Sequence, residues 1–106
     1  MNVLPREFLL AKAGVCESYP FEPEIPVYKV ANKIFAIGFC KEGKWYLNLK
    51  ITPQEGEVLR SLFSAIKPGY HMNKKHWNTI VCAGQLDDDE LKDLIRHSYE
   101  LVTAEP

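Results

Sequence analysis

The feature that most constrains the fold of this chain is the strict alternation of side chains in residues 45–51. An extended chain places every second residue on the same side, so this segment predicts a strand with one apolar and one polar side. The apolar side would carry Trp45, Leu47, Leu49 and Ile51, and the polar side Tyr46, Asn48 and Lys50. One side should therefore pack in a core, and the other should meet solvent or a partner.

Two further segments predict that this strand belongs to an antiparallel meander. Residues 34–40 are apolar on both sides and should form a central strand, which the turn at Glu42-Gly43 joins to residues 45–51. Residues 27–31 precede the central strand across a turn at Asn32-Lys33. The chain should thus contain at least three neighbouring strands.

Start and stop signals predict three helices around this sheet. The first would span residues 2–13, with Asn2 as its cap, Pro5 in its first turn and Gly14 as its stop. It is followed by residues 19–26, whose three prolines suit an extended connector or an edge strand.

Capping boxes mark the other two helices. Thr52 and Glu55 flank Pro53 at the first helical position, and the helix should run on to Pro68-Gly69. Its apolar stripe would consist of Val58, Leu59, Leu62, Phe63 and Ile66. The last helix should start after Asp87, with Glu90 completing the box. Its buried side would consist of Leu91, Leu94, Ile95, Ser98, Tyr99 and Val102.

Length and composition predict one α+β domain over residues 1–106, a twisted antiparallel sheet with helices packed on one face. The longest apolar run is far shorter than the ~20 residues of a membrane span. Cys16, Cys40 and Cys82 are odd in number and form no C-x-x-C motif, and Arg6 and Glu7 interrupt any signal peptide. We therefore expect a reduced, cytoplasmic location without membrane association.

The charge distribution along the chain is uneven, although the net charge is only −1. Residues 27–84 hold nine basic and three acidic residues, a net charge of +6, and residues 85–106 hold two basic and seven acidic residues, a net charge of −5. A basic face on a nearly neutral protein can bind polyanions, and solvated surface lysines are the alternative interpretation.

The most unusual segment is residues 67–80, which combine three lysines, two histidines, two asparagines, Tyr70 and Trp77 without an acid. The segment has neither helical nor strand periodicity, which is typical of a loop held in place for binding. Cationic donors, amide donors and flat rings together suit an anionic partner. The structural alternatives are that Trp77 anchors the core, which we expect, that the asparagines cap turns, and that the lysines are only solvated.

Catalytic and metal chemistry finds little support in the sequence. His71 and His76 are five residues apart with no acid or cysteine between them, and the lysines beside them would repel a cation, so we expect no metal. Cys82 is expected to be a buried structural thiol, and Glu22 and Glu24 have no substrate placed between them. The chain contains no phosphate-binding glycine motif. We expect no enzyme activity and no cofactor.

Residues 69–79 (Gly-Tyr-His-Met-Asn-Lys-Lys-His-Trp-Asn-Thr), placed before a capped final helix, resemble the MmcQ/YjbR-like family. Residues 17–21, 48–50 and 98–102 look like that family too, so the resemblance covers essentially the whole chain. It implies an α+β sandwich similar to bacterial frataxin and to the double-wing DNA-binding domains. Members are commonly labelled DNA-binding on structural grounds, which is a fold-level analogy.

The resulting hypothesis is a DNA-binding protein that contacts mainly the phosphate backbone through one sheet face and the 67–79 loop. The residues expected to contact nucleic acid are Lys50, Lys67, Tyr70, His71, Asn73, Lys74, Lys75, His76 and Asn78. The alternatives are a protein-interaction module that uses the same loop, and a small-ligand binder in which the loop forms a pocket wall. A monomer is favoured.

Overall fold

The computed structural model of the protein describes residues 3–70 and 72–104. It contains a six-stranded antiparallel sheet in the order β1-β2-β3-β4-β6-β5 and three helices on one side of the sheet, an α+β fold as predicted. The strands are β1 (Val15–Ser18), β2 (Val27–Val30), β3 (Lys33–Lys41), β4 (Lys44–Lys50), β5 (Ile66–Pro68) and β6 (Trp77–Val81). The helices are α1 (Arg6–Leu10), α2 (Pro53–Leu62) and α3 (Asp88–Thr103).

The predicted meander is confirmed as β2, β3 and β4. Both of its turns place their two central residues at positive φ, with values of 52° and 64° at Ala31 and Asn32 and of 52° and 77° at Glu42 and Gly43. This is the tight two-residue hairpin geometry whose twist matches that of the flanking strands. The first turn lies one residue earlier than predicted, because Lys33 already pairs with Val30.

Two edge strands were not predicted. In β1, Val15–Ser18 pairs with β2 just before the proline-rich connector. In β5, Ile66 pairs with Ile80 of β6, although its spacing had assigned it to the preceding helix. Sheet pairing therefore overrides the helical pattern at this point. Burying Ile66 opposite Ile80 stabilises the fold more than another half-turn of helix would.

The helix boundaries differ from the prediction for α1 and α2. α1 is a short helix, Arg6–Leu10, and its expected cap Asn2 lies outside the described residues. α2 ends at Leu62, Thr52 makes no side-chain cap hydrogen bond, and Val58 and Leu62 are 57% and 64% exposed instead of buried. The capping box was therefore wrong for α2, and only part of its apolar stripe faces the core.

The last helix agrees with its prediction. Asp87 accepts a hydrogen bond from the Glu90 backbone N–H, and the Glu90 carboxylate accepts one from the Asp87 N–H, so both halves of the capping box form. The predicted side of the helix faces the sheet, with Leu91, Ile95, Ser98 and Val102 buried and Leu94 and Tyr99 packed around them. None of the helices within the described residues is long and apolar enough to cross a bilayer.

One side of the sheet carries the main core. Tyr28, Leu47, Leu49 and Ile80 are fully buried there beneath the helices. The fully buried Ser98 of α3 locks this helix to the sheet, since its Oγ accepts a hydrogen bond from the Lys50 backbone N–H at 2.8 Å and donates one to the Phe35 carbonyl at 2.6 Å. This bridge lies where β3 and β4 stop pairing with each other.

The other side of the sheet carries no helix, and we call it the open face. Strand residues that are paired across the ladder share a face. Successive residues alternate except at a β-bulge opposite Tyr28 and Lys29, where Phe35 and Ala36 both join the core, so the register assigns the members of the open face. They are Cys16, Ser18, Val27, Lys29, Ile34, Ile37, Phe39, Lys41, Lys44, Tyr46, Asn48, Lys50, Lys67, Trp77, Thr79 and Val81. Val27 and Ile37 are buried, yet they stand outside the main core cluster because they lie on this opposite side.

Candidate functional site

Within residues 3–70 and 72–104, lysines are the only charged strand residues on the open face. Lys29, Lys41, Lys44, Lys50 and Lys67 come from four different strands, and no strand position on this face within the described residues holds an aspartate or a glutamate. Glu42, which follows Lys41 in the chain, lies at the tip of the β3–β4 turn. Pairing in the sheet therefore gathers positive charge that the sequence distributes over about 40 residues.

Aromatic rings occupy the centre of this face. The rings of Phe39 and Tyr46, on neighbouring strands, stack with centroids 5.1 Å apart and an interplanar angle of 9°. The ring of Tyr70 packs against Phe39 at 5.7 Å and 33°, and the Lys41 Nζ lies 5.1 Å from the Tyr70 centroid. Phe39, Tyr46 and Tyr70 form what we call the aromatic cluster, and Tyr70, which is 46% exposed, is its outermost member.

Buried polar side chains hold Tyr70 over the sheet. The Thr79 hydroxyl accepts a hydrogen bond from the Tyr70 N–H at 2.7 Å and donates one to Asn48 Oδ1 at 2.5 Å, and Asn48 Nδ2 donates to the Tyr70 carbonyl at 3.3 Å. Asn48 and Thr79 are only 4% and 7% exposed. This closed ring of hydrogen bonds satisfies both buried side chains and fixes the backbone of Tyr70 on the open face.

The rest of the connection between β5 and β6 stabilises its own turn. The Gly69 N–H donates to the Trp77 carbonyl at 2.8 Å, and Lys74 Nζ donates to the Gly69 carbonyl at 2.9 Å. Asn73 Oδ1 accepts from the Lys75 N–H at 2.8 Å. Lys74 and Asn73 therefore both shape the loop, whereas the exposed side chain of Lys75 makes no such contact within the described residues.

The predicted contact residues divide into those on the open face and those away from it. Lys50 and Lys67 lie on this face, and Tyr70 is held above it. Lys50 is half-buried and Lys67 is exposed. His76 is half-buried, and its carbonyl accepts hydrogen bonds from the Ile51 N–H and from Asn78 Nδ2. His71 lies outside the described residues.

Two sequence-based expectations for this region need correction. Asn78 pairs with Leu49, so it lies on the helix side, where it is fully buried and its Oδ1 accepts a hydrogen bond from Arg60 Nη1 at 2.5 Å. It cannot contact a ligand on the open face. Trp77, expected to anchor the core, is half-buried opposite Lys50 on the open face.

Sequence reasoning missed several residues that complete the face. Lys41 and Lys44 flank the β3–β4 turn, and Phe39 belongs to a strand that is apolar on both sides, so only the register reveals which side each one takes. For Lys44 the sequence did hold a signal, because the alternation of β4 extends back from Tyr46 to Lys44.

Two further reactive groups, the Cys82 thiol and the Glu17 carboxylate, lie away from the open face. Burial raises the pKa of the Cys82 thiol to about 12, which makes it the inert thiol that the sequence predicts. The Glu17 carboxylate accepts hydrogen bonds from Arg6 at 2.8 Å and from the Tyr28 hydroxyl at 2.7 Å, and the Arg6 hydrogen bond is the main cause that lowers the pKa of Glu17. The described residues contain no group of three metal-ligating side chains.

Two surface cavities open beside α1. One, of about 540 Å³, lies between α1 and the start of α3 and is lined by Phe8 and Leu91. The other, of about 410 Å³, lies near Glu17, Tyr19 and Trp45. Neither is lined by residues 67–79, so these cavities do not use the polar loop as a wall.

Comparison with known proteins places the chain among uncharacterised relatives. The family model described as YjbR matches residues 10–101. The chain is 40% identical over 84 residues to YbdF of Escherichia coli O157:H7, covering 79% of this chain and 69% of the relative. It is 31% identical over 94 residues to YjbR of Escherichia coli K12, covering 89% and 80%. Both relatives are described only as uncharacterized proteins.

Solved structures agree with this result. The crystal structure of Deinococcus radiodurans DR2400, a DUF419 domain, is 35% identical and has a TM-score of 0.88, covering 94% of this chain and 76% of that chain. A crystal structure of a Pseudomonas syringae protein is 27% identical with a TM-score of 0.77, covering 93% and 98%. None of these descriptions names a ligand or an activity, so a function has to be argued from the surface of the chain itself.

Proposed function

This chain belongs to the YjbR family, and from that premise we propose that it binds DNA by laying its open face on the phosphate backbone. The observation that carries the proposal is the row of lysines on a helix-free sheet face whose strand positions hold no acid within the described part of the chain. The likeness to double-wing DNA-binding domains implied by the sequence supports the proposal only at the level of fold.

Three of these lysines suit phosphate contacts particularly well. Lys41, Lys44 and Lys67 are exposed, and within the described residues none of them forms an ion pair with a carboxylate. Their charge is therefore available to a polyanion. The six residue steps from Lys44 to Lys50 span roughly 20 Å of strand, which is long enough for several successive phosphates.

Recognition on this face should depend on charge more than on base sequence. Of the two asparagines expected to contact nucleic acid, Asn78 is buried, and Asn73 uses its side-chain oxygen within its own turn. Phosphate contacts position a protein on DNA without reading sequence. We therefore expect similar affinity for unrelated DNA sequences of equal length.

The test is a fluorescence-anisotropy titration with labelled duplex DNA at a series of salt concentrations. If the three exposed lysines each replace about one counterion, the slope of log affinity against log salt should be near −2.7, from about −0.9 per contact. Changing the three together (Lys41→Gln, Lys44→Gln, Lys67→Gln) should weaken binding on every sequence and flatten the slope towards zero.

A matched variant separates this face from net charge alone. Lys12, Lys92 and Arg96 lie on the helix side, where they surround the Phe8 ring, so changing these three to Gln removes the same charge from the opposite surface. Circular dichroism should establish that both variants are folded. The proposal fails if the protein does not bind DNA at low salt, if binding does not depend on salt, or if the helix-side variant weakens binding as much as the open-face variant.

A further inference from the structure

Building on the proposed function, we infer that the preferred ligand of the open face is a single-stranded nucleic acid, with a base stacked on Tyr70. The lysines explain attraction to phosphate, but they do not explain the aromatic cluster in their midst. Phe39, Tyr46 and Tyr70 form one contiguous aromatic patch beside Lys41, with Tyr70 46% exposed, and such patches bordered by polar groups mark interaction sites.

The aromatic cluster is built as a rigid platform. Phe39 and Tyr46 stack in parallel on the sheet, and Tyr70 packs against Phe39 above them. The backbone of Tyr70 is fixed on both sides, since its N–H donates to Thr79 and its carbonyl accepts from Asn48. A ring held in this way loses little conformational freedom when a flat ligand stacks on it.

The position of the lysines fits a strand that passes over this platform. Lys41 already lies 5.1 Å from the Tyr70 ring centroid, and Lys44 is its partner across the β3–β4 hairpin. A base that stacks on Tyr70 brings its own phosphate close to these ammonium groups. Lys41 then gives up its cation–π contact with the Tyr70 ring and binds a phosphate oxygen instead. Stacking platforms bordered by basic side chains are the usual means of binding single strands without sequence preference.

Duplex DNA fits the same surface less well. Its bases are stacked on each other and present only their edges in the grooves, so their faces cannot reach a tyrosine. The helices α1, α2 and α3 all lie on the far side of the sheet, so none of them can enter the major groove while the open face is in contact. On a duplex, the aromatic cluster would face phosphates and gain nothing.

The experiment compares the affinity for a labelled 15-mer of oligothymidylate with the affinity for a duplex of equal length. A third ligand is a 15-mer with the same backbone whose central nucleotides lack their bases. We expect the protein to bind the single strand more tightly than the duplex and to lose roughly 10-fold in affinity on the abasic strand, which keeps every phosphate. Tyr70→Leu should lose a similar factor on oligothymidylate and change duplex binding by less than about 2-fold. Tyr70→Phe should restore binding, because the ring is retained.

The outcomes separate this inference from the function on which it rests. If neither single strands nor duplex bind at low salt, both fail. If the duplex binds as tightly as the single strand, or if the abasic strand and Tyr70→Leu leave affinity unchanged, the single-strand inference is overturned while phosphate binding stands. An oligouridylate arm distinguishes the source of the strand, since binding of RNA alone would support stacking on Tyr70 and overturn the DNA binding of the proposed function. The midpoint of thermal unfolding of Tyr70→Leu should confirm that the variant remains folded.

Discussion

Replacing Ser98 by alanine should cost far more stability than the loss of one hydroxyl group suggests. The Ser98 side chain is fully buried and serves two backbone groups at once, the Lys50 N–H and the Phe35 carbonyl. In Ser98→Ala both groups stay buried, and the space left by one oxygen atom is too small for a bridging water. Each unsatisfied group costs about 1–3 kcal/mol, so the free energy of unfolding should fall by about 2–6 kcal/mol, a large part of the roughly 5–15 kcal/mol typical of a domain.

Urea denaturation followed by tryptophan fluorescence measures this change. We expect a lower midpoint with an unchanged m-value, because the surface exposed on unfolding stays the same. The matched control is Ser61→Ala on α2, whose exposed hydroxyl donates to the Val58 carbonyl within its own helix, and which should change stability by no more than about 0.5 kcal/mol. If Ser98→Ala proved as mild as Ser61→Ala, the bridge between α3 and the two strands would not be a significant source of stability.

Three further predictions concern Gly69, Cys82 and Glu17. Gly69→Ala should lower the free energy of unfolding by about 1–3 kcal/mol, because an added Cβ would lie 2.8 Å from the Trp77 Cβ and 2.9 Å from the Trp77 carbonyl oxygen; an unchanged melting temperature would contradict this. In the native protein, a thiol reagent at pH 8 should modify the two exposed cysteines quickly and Cys82 only after unfolding, because burial raises the pKa of Cys82 to about 12; fast reaction of all three thiols would contradict it. The pKa of Glu17 is lowered from its ordinary value of 4.5, mainly by the Arg6 hydrogen bond. The stability that the ionised Glu17 contributes is therefore present above pH 4.5 and is lost as the pH falls below it. Urea midpoints measured against pH should therefore fall less steeply below pH 4.5 in Glu17→Gln than in the wild type, and parallel curves would refute the assignment.

The elements of the fold could be predicted from the sequence where a local signal and the tertiary structure agree. The capping box at Asp87 depends on residues only three positions apart, and the alternation in β4 depends on one strand, so both are visible in the sequence. The strand at Ile66 was not visible, because its helical spacing continues the stripe of α2 and only pairing with Ile80 decides its conformation. Short edge strands carry little periodicity, and their formation depends on a neighbour that is distant in sequence.

The candidate site could be predicted only in part, for the same reason. Lys50 follows from the alternation of its own strand, but the face to which Phe39 or Lys41 belongs depends on register, which one residue of slip would reverse. The same rule explains the error at Asn78. Its polarity suggested an exposed contact, yet its pairing with Leu49 turns it towards the helices, where Arg60 satisfies it.

The one-sided placement of the helices gives the molecule an electrical polarity that its overall charge conceals. The acids at the start of α3, Asp88 to Glu90, lie on the helix layer, and the strand lysines project from the opposite side, so the protein carries a dipole directed across its sheet. In solution, electrostatic steering should orient the protein before contact, so that the lysine side faces any strongly negative surface. A chain with a net charge of −1 should for this reason adhere to a cation-exchange resin at neutral pH and low salt.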